Sequence, residues 1–237
     1  MNLILLSKDD FMLSGSKVRL TGRRHKHILE ILKASVQDEL CVGLAGGKIG
    51  TGRITSIDKT ALEMDVKLDK DPPAALPLTL ILALPRPIVF RRLLAQITAL
   101  GVKKIIVIHS QRVEKSYWNS PALDHAAIEE QLILGLEQAR DTIMPEVILR
   151  QSFKKFVDNE LPGRIKNSKA FIAHPGVRER LTAYGKGPVT LVIGPDGGFL
   201  PQEVERFVEA GCSLVSLGDR ILRVETAVIA SIARLMK

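Results

Sequence analysis

The sequence of 237 residues is poor in aromatic side chains, in cysteine and in long apolar runs. Aromatic residues make up only 4% of the chain, so the cores of a protein with 46% hydrophobic residues must be mainly aliphatic. The two cysteines, Cys41 and Cys212, are far apart, and neither they nor the five histidines have metal-ligand spacing. We therefore expect no metal site and a cytoplasmic, reducing environment. No apolar run reaches the roughly 18 residues of a membrane helix, so we expect no membrane partner.

Acidic residues are too few to balance the basic ones. Lysine and arginine number 34 against 26 aspartates and glutamates, which gives a net charge of +8 and a pI near 9.6. No acidic residue occurs between Phe11 and Leu29, where five basic residues stand. This pattern indicates an anionic partner, nucleic acid before membrane, and the alternative is an ordinary solvated basic face. The candidate RNA contacts are Arg19, Arg23, Arg24, Lys26 and Lys33.

Residues 1–71 contain short apolar runs between turns, which is typical of a small β-barrel. The expected strands are Asn2–Leu6, Lys17–Leu20, Glu39–Leu44, Gly50–Ile57 and Ala61–Leu68, and one helix is expected over His25–Leu32. The glycine-rich stretch Gly46–Gly52 lies between two of these strands, so it indicates a hairpin turn rather than a nucleotide-binding loop. The proline-rich residues 72–77 then mark a stiff linker between two domains.

In residues 78–237, apolar strands alternate with helical patterns, which predicts an α/β domain with a mostly parallel sheet and helices on both faces. The expected strands are Leu78–Leu84, Lys104–His109, Pro145–Leu149, Ala170–His174, Val189–Ile193 and Ser213–Leu217. The expected helices are Ile88–Leu100, Asp124–Arg140, Pro201–Ala210 and Ala227–Met236. Parallel strands end at a common edge of the sheet, where such domains bind their ligands.

The strand Val189–Ile193 runs directly into the glycine-rich sequence Gly194-Pro195-Asp196-Gly197-Gly198. Glycine lets the main chain approach a ligand closely and present bare N–H and C=O groups, which suits a flat heterocycle. The sequence has neither the Gly-Lys-Ser/Thr of a phosphate loop nor the spacing of a dinucleotide fingerprint. It therefore indicates a ligand site of another kind, and the alternative is a tight strand-to-helix turn without a ligand.

A second glycine break, at Gly218, is followed by Arg220, Arg223 and Glu225 just before an apolar helix. An ordinary helix start would account for Glu225 and for Thr226 as a capping residue. It would not account for the two arginines, whose charges oppose the helix dipole. The arginines are therefore candidate site residues, and the alternative is a structural pair between Arg223 and Glu225.

The two stretches together, Gly-Pro-Asp-Gly-Gly-Phe at 194–199 and Leu-Gly-Asp-Arg-Ile-Leu-Arg-Val-Glu-Thr-Ala at 217–227, resemble the signature of the RsmE family. These proteins are uridine-N3 methyltransferases of small-subunit ribosomal RNA, of the SPOUT class. The resemblance implies S-adenosylmethionine as cofactor, 16S ribosomal RNA as substrate and a homodimer. It also implies a PUA-like, RNA-binding N-terminal barrel and a C-terminal trefoil knot, which general chain rules would not suggest.

The resemblance also implies which residues form the site. The implied cofactor contacts are Leu84, His174, Pro175, Gly176, Ile193, Gly194, Pro195, Gly197, Gly198, Leu217, Gly218, Ile221 and Leu222. Arg223 and Arg220 would stabilise the negative charge that develops on the uracil oxygens. Glu225 or Asp196 would accept or relay the imide proton, or orient an arginine.

The sequence departs from the family pattern at five places. In the N-terminal helix, Lys33 stands where arginine is usual, which replaces a bidentate contact by a point charge. Arg86–Arg92 stands where lysines and a glycine are usual, and Ala99 stands where an acid is usual. Asp196 replaces a glutamate, and Leu200 replaces a serine or threonine that would cap the next helix. These departures motivate one alternative, an RNA-binding assembly factor without catalysis. Two others stay open: a methyltransferase of another RNA uridine and, least supported because the glycine fingerprint is missing, a nucleotide-dependent dehydrogenase.

Overall fold

The computed structural model describes residues 2–13, 15–185 and 187–236. Its chain divides into two compact units. The first unit takes residues 1–74 and 133–144, and the second takes residues 75–132 and 145–237. None of the described helices is long and apolar enough to cross a membrane.

The strands of the first unit are β1 (Ile4–Leu6), β2 (Lys17–Leu20), β3 (Glu39–Leu44), β4 (Ile49–Ile57) and β5 (Leu62–Lys70). They form one sheet in the order β1-β3-β4-β5-β2, in which β1 and β3 are parallel and the other neighbours antiparallel. Val18 faces Met64 and Leu20 faces Leu62 across the β2–β5 pair, and all four side chains are fully buried. The predicted strands are confirmed, although β1 is shorter than expected.

The predicted hairpin turn within Gly46–Gly52 is confirmed by the antiparallel pairing of β3 with β4. Gly46 has a φ of +72°, a left-handed conformation that favours glycine. Gly50 and Gly52 belong to β4 itself. A Cβ atom added to Gly50 would overlap the carbonyl oxygen of Lys67, so this glycine allows the two strands to pack closely.

Helical conformation in the first unit begins earlier than the sequence predicts. Helix α1 (Gly22–Lys26) runs directly into a π-helical segment, His27–Leu32, and Lys33 ends it in the left-handed region with a φ of 51°. The predicted helix, His25–Leu32, therefore lacked its first turn. The reason is that Arg23 and Arg24 show no apolar periodicity by which a helix could be recognised.

The strands of the second unit are β6 (Leu76–Ala83), β7 (Val102–Ile108), β8 (Glu146–Arg150), β9 (Lys169–Ala173), β10 (Val189–Ile193) and β11 (Ser213–Val215). They form one parallel sheet in the order β11-β9-β10-β6-β7-β8. Every residue of β10 is buried, as expected for a strand covered on both faces. The predicted parallel α/β sheet is confirmed, and β6 begins at Leu76, within the predicted linker.

The remaining α-helices of the described chain are α2 (Pro87–Ala99), α3 (His125–Ala139), α4 (Phe153–Lys155), α5 (Leu161–Ile165), α6 (Pro201–Glu209) and α7 (Val224–Leu235). A π-helical segment, Phe156–Glu160, joins α4 to α5, and short 3-10 helices are formed by Lys8–Asp10, Lys115–Asn119 and Pro121–Leu123. Helix α7 begins three residues before the predicted Ala227, because Val224 joins Val228 and Ile232 in one buried stripe. Arg223, with extended backbone angles, is the residue before the helix. Thr226 lies inside the helix, so it is not the capping residue that an ordinary helix start at Ala227 would have required.

Candidate active site

Three loops meet at the carboxyl edge of the parallel sheet, because β11, β9 and β10 are neighbours in it. With the start of α7 they enclose a space of about 300 Å³, here called the loop cavity. Ligand pockets start at about this size. The loop cavity is lined by Ala173, His174, Pro175, Ile193, Gly194, Pro195, Asp196, Gly197, Gly198, Phe199, Leu217, Gly218, Arg220, Ile221, Leu222, Val224 and Ala227.

The glycine loop (Gly194–Gly198) forms one wall of the loop cavity. The N–H of Gly198 donates to the carbonyl of Pro195 at 2.8 Å, and its φ of +73° favours glycine. A Cβ added to Gly194 would lie 3.1 Å from the ring of Phe199. A Cβ added to Gly197 would lie 3.1 Å from Cδ of Arg112, whose guanidinium donates to the Gly197 carbonyl. A side chain at either position would therefore displace a neighbouring side chain and alter the wall of the loop cavity.

The loops after β9 and β11 are tied to each other and form another wall of the cavity. The N–H of His174 donates to the carbonyl of Val215 at 2.9 Å. Arg180 pairs with both carboxylate oxygens of Asp219, at 3.0 and 3.2 Å. The buried Nδ1 atom of His174 has no hydrogen-bond partner among the described residues. This nitrogen is a polar atom that a molecule in the loop cavity can engage.

A polar pocket of about 350 Å³, here called the arginine pocket, adjoins the glycine loop. It is lined by Leu84, Pro85, Arg86, Arg112, Glu114, Tyr117, Pro195 and Asp196. Nε of Arg86 donates to Oδ2 of Asp196 at 3.2 Å, and this bond raises the pKa of the guanidinium. Burial and a hydrogen bond to Glu114, at 3.1 Å, raise the pKa of Tyr117, so that its hydroxyl stays protonated.

A third space of about 370 Å³, here called the Arg223 pocket, lies at the start of α7. It is lined by Arg86, Val89, Asp196, Ile221, Leu222, Arg223 and Glu225. Two of the predicted catalytic residues, Arg223 and Glu225, therefore share this pocket, whereas Arg220 lines the loop cavity. Asp196 lines all three spaces, and Arg86 lines two of them.

The predicted cofactor residues all line the loop cavity except Leu84 and Gly176. Leu84 lines the arginine pocket, and Gly176 follows the lining residue Pro175 with a φ of +83°. Four residues line the cavity without having been predicted as site residues: Ala173, Phe199, Val224 and Ala227. Within the described ranges, no cluster of histidine, cysteine, aspartate and glutamate side chains could hold a metal ion.

The predicted RNA contacts of the first unit fall into two groups. Arg23 pairs at 2.9 Å with Glu137, whose side chain is almost fully buried. Arg24 binds both carboxylate oxygens of Asp10, at 2.6 and 2.7 Å, and the carbonyl of Leu5. Burial raises the pKa of Asp10, but the hydrogen bond from Arg24 contributes to a net lowering. The second group of predicted RNA contacts is exposed and forms no ion pair among the described residues. It consists of Arg19, Lys26 and Lys33.

The loop after β7, which carries Arg112, is fixed by buried polar contacts. Oε1 of Glu203 accepts a hydrogen bond from the N–H of Gln111 at 2.8 Å, and Glu203 is 5% exposed. Nε1 of Trp118 donates to Nδ1 of His109 at 2.8 Å. Burial lowers the pKa of His109, which keeps its ring neutral and able to accept this bond. Arg112 is thus presented to the glycine loop from a well-anchored segment.

Residues 72–236 match the model of a family described as an RNA methyltransferase domain. The chain belongs to this family. As the sequence predicts, it is therefore an RNA methyltransferase. A similar curated protein, ribosomal RNA small subunit methyltransferase E of Treponema pallidum, is 29% identical over 241 residues, which cover 98% of this chain and 90% of that protein.

Two similar crystal structures have the same fold over nearly the whole chain. The ribosomal RNA small subunit methyltransferase E of Neisseria gonorrhoeae, bound to S-adenosylmethionine, has a TM-score of 0.72 at 25% identity, with 98% of this chain and 95% of that one covered. A methyltransferase of Legionella pneumophila in complex with the same cofactor has a TM-score of 0.75 at 21% identity, with 99% and 96% covered. The second likeness shows the fold alone.

Three residues of the arginine pocket, Arg112, Glu114 and Tyr117, were not among the predicted site residues. They lie in a polar loop that contains no recognisable motif. One signal could have found them: the loop follows β7, a neighbour of β6 in the parallel sheet, so it leaves the sheet at the edge where the ligand was expected.

Proposed function

We propose that this protein transfers the methyl group of S-adenosylmethionine to N3 of a uridine in 16S ribosomal RNA. The observation that carries the proposal is the loop cavity, which lies in the RNA methyltransferase domain and contains the glycine loop. The similar protein of Treponema is named as a methyltransferase of small-subunit ribosomal RNA, and the similar Neisseria structure is bound to S-adenosylmethionine. The N3 position follows from the resemblance to the RsmE family.

The loop cavity fits an adenosine-containing ligand. Apolar side chains such as Ile193 and Leu222 can lie against the flat adenine, while glycine main chain offers unshielded N–H and C=O groups. The unpartnered Nδ1 of His174, unique in this cavity among the described residues, adds a further polar contact. When bound, the cofactor supplies a methyl group on a positively charged sulfur, which is activated without a metal.

The chain's own residues position the uracil and stabilise its charge. Arg220 in the loop cavity and Arg223 in the adjoining pocket can donate hydrogen bonds to the carbonyl oxygens of the base. Glu225 lies in the same pocket as Arg223 and can orient its guanidinium. Holding donor and acceptor in line is itself a large effect, worth about 7–11 kcal/mol in good cases.

The first unit supplies a basic surface for the RNA. The exposed side chains of Arg19, Lys26 and Lys33 are available for phosphate groups, while Arg24 mainly stabilises the turn that contains Asp10. Each phosphate that these cations neutralise should add about 0.7–0.9 to the slope of log affinity against log salt concentration.

Four further features are part of the proposal because of the resemblance. The first unit is a PUA-like barrel, the C-terminal segment of the second unit is threaded as a trefoil knot, the protein is a homodimer, and it acts in the cytoplasm. The oligomeric state can be measured by light scattering.

The function is tested by incubating the purified protein with methyl-labelled S-adenosylmethionine and small ribosomal subunits from bacteria that lack the modification. We expect 3-methyluridine among the nucleosides after digestion, at one position of the 16S RNA. Naked 16S RNA, tested in parallel, shows whether the assembled particle is needed.

Three other results would contradict the proposal in different ways. RNA binding without any methyl transfer would indicate the assembly factor. A methyl group on a uridine of another RNA would indicate another substrate. Methylation of a different base atom would exclude N3 as the acceptor.

A further inference from the structure

Asp196 is the one carboxylate among the described residues that lines the loop cavity. It also lines the arginine pocket and the Arg223 pocket, so three spaces meet at its side chain. The other carboxylates line one pocket each, Glu114 the arginine pocket and Glu225 the Arg223 pocket. A nitrogen that attacks a methyl group must approach it within about 3–3.5 Å. The group that takes the proton from this nitrogen must therefore lie at the border of the loop cavity, as Asp196 does.

Arg86 fixes Asp196 at this border through one oxygen only. Its Nε donates to Oδ2 at 3.2 Å, and the two side chains are 64% and 38% exposed. Oδ1 of Asp196 accepts no hydrogen bond from the described residues. One oxygen of the carboxylate is thus held by a cation, and the other is available to a substrate.

Most of the other titratable groups that line these spaces cannot take the proton. Tyr117 stays protonated, because burial and Glu114 raise its pKa. Arginines are permanent cations with no acceptor. Those that line the same spaces are Arg86, Arg112, Arg220 and Arg223.

Three rivals remain, and each lines only one of the three spaces. Glu225 lines the Arg223 pocket, Glu114 the arginine pocket and His174 the loop cavity. Glu114 already accepts a hydrogen bond from the Tyr117 hydroxyl, and Nδ1 of His174 is buried.

From this geometry we propose that Asp196 accepts the N3 proton of the target uridine and that Arg86 is the positioning residue for its carboxylate. The inference rests on the proposed function. The N3–H bond breaks and its proton passes to Oδ1 of Asp196. The N3 electron pair forms the bond to the methyl carbon, and the carbon–sulfur bond breaks with its electron pair left on sulfur. The proton then passes from Asp196 to water.

The test compares Asp196→Asn and Glu225→Gln with the wild-type protein, with Asp158→Asn as the matched control. Asp158 is also an arginine-paired carboxylate, bound to Arg206 at 2.9 Å and 39% exposed, and it lines none of the three spaces. Single-turnover methylation is followed between about pH 6 and pH 9. Calorimetry with S-adenosylmethionine and fluorescence anisotropy with a uridine-containing oligonucleotide report binding independently of activity.

Asp196→Asn should lower the methylation rate by about 100-fold or more. Its rate should rise about tenfold per pH unit, because hydroxide must then take the proton, and both affinities should stay within about threefold of wild type. Glu225→Gln should keep the shape of the wild-type pH profile, and Asp158→Asn should keep the wild-type rate.

Arg86 is tested by a separation of rate from binding that a merely structural role would not produce. Arg86→Ala should lower the single-turnover rate at saturating substrate by about tenfold or more, with both affinities within about threefold of wild type, because Oδ2 of Asp196 loses the hydrogen bond that orients the carboxylate. Arg86→Lys keeps a donor and should restore part of the rate. An Arg86→Ala protein with the wild-type rate would remove the positioning role.

The outcomes separate this inference from the proposed function. If the wild type makes 3-methyluridine and Asp196→Asn keeps its rate and pH profile, the inference alone is overturned. The same holds if Glu225→Gln, and not Asp196→Asn, acquires the steep pH dependence. If the wild type makes no 3-methyluridine, the proposed function and this inference are both overturned.

Discussion

Two glycine-rich stretches lie next to strands in this chain, Gly46–Gly52 in the first unit and Gly194–Gly198 in the second. In the first, main chain packs against main chain, since a Cβ on Gly50 would overlap the Lys67 carbonyl oxygen. In the second, a Cβ on Gly197 would first meet the side chain of Arg112, at 3.1 Å. A flexible side chain can move, whereas a strand backbone cannot. The first stretch is therefore constrained by the fold and the second by the site.

The comparison shows that position in the sheet, and not glycine content, separates the two roles. Gly46–Gly52 lies within an antiparallel hairpin, where glycine permits a turn and close strand packing. Gly194–Gly198 follows a central parallel strand at the carboxyl edge, where α/β proteins bind ligands. Substitutions in the two stretches should therefore have opposite consequences, one for stability and the other for binding.

Gly50→Ala should have the largest effect on stability. The new methyl group overlaps strand backbone, so β4 and β5 must separate, and we expect the first unit to lose at least about 3 kcal/mol. Differential scanning calorimetry of the purified variant measures the loss.

The control for this prediction is Gly47→Ala in the same stretch. A Cβ there would meet only the side chain of Leu44, at 3.3 Å, so we expect a change within about 1 kcal/mol. Equal unfolding temperatures for Gly50→Ala and wild type would show that the strands tolerate the methyl group and would remove the contrast between the stretches.

Gly197→Val should affect cofactor binding and not the stability of the fold. We expect binding of S-adenosylmethionine to weaken at least about tenfold, because the added side chain displaces Arg112 and alters the cavity wall, while the fold is kept. Calorimetric titration measures the affinity. Gly163→Val is the matched control, since a Cβ at Gly163 has open space around it and the residue lines none of the three spaces.

The role of Arg112 in this effect can be isolated by a double-mutant cycle. Arg112→Ala alone should weaken cofactor binding by about fivefold, because the glycine loop loses the hydrogen bond to the Gly197 carbonyl. In the Arg112→Ala background, Gly197→Val has room for its side chain and should cost less than in wild type. Strict additivity of the two effects would contradict the coupling.

The smallest expected effect is a pH dependence confined to the first unit. Hydrogen bonds from the Thr60 hydroxyl and from the N–H groups of Thr60 and Ala61 lower the pKa of Asp58 from 3.8 to about 2. A lowered folded-state pKa contributes stability above the ordinary value, and this is lost as the pH falls towards 2. The unfolding temperature of the first unit should therefore fall over this range. Asp58→Asn should weaken the dependence, and the part that comes from the lowered pKa of Asp10 should remain.

The fold could be predicted where local pattern decides structure. The alternation of apolar and polar residues, the apolar runs and the turn residues predicted every strand of the two sheets. The same patterns could not assign residues 133–144 to the first unit, because α3 looks like one continuous helix. Its placement depends on Leu136, which is fully buried with Leu3 and Leu5, far away in sequence.

The site could be predicted where motif and sheet edge coincide, as for the glycine loop and Arg220. The partners of these motifs could not be predicted, because Arg112 reaches Gly197 from a distant loop. The missing helix cap at Leu200 is a second example. Glu203 accepts the Leu200 N–H at 2.8 Å, which is one half of a capping box, and the N–H of Glu203 donates to the Leu200 carbonyl instead of to a side chain.

Hydrogen–deuterium exchange with and without S-adenosylmethionine tests most directly whether the second glycine stretch, and not the first, binds the cofactor. We expect slower amide exchange in the glycine loop and in Leu217–Leu222, and no change in Gly46–Gly52. Unchanged exchange in the glycine loop at saturating cofactor, or protection of Gly46–Gly52 instead, would contradict the assignment of the loop cavity as the cofactor site.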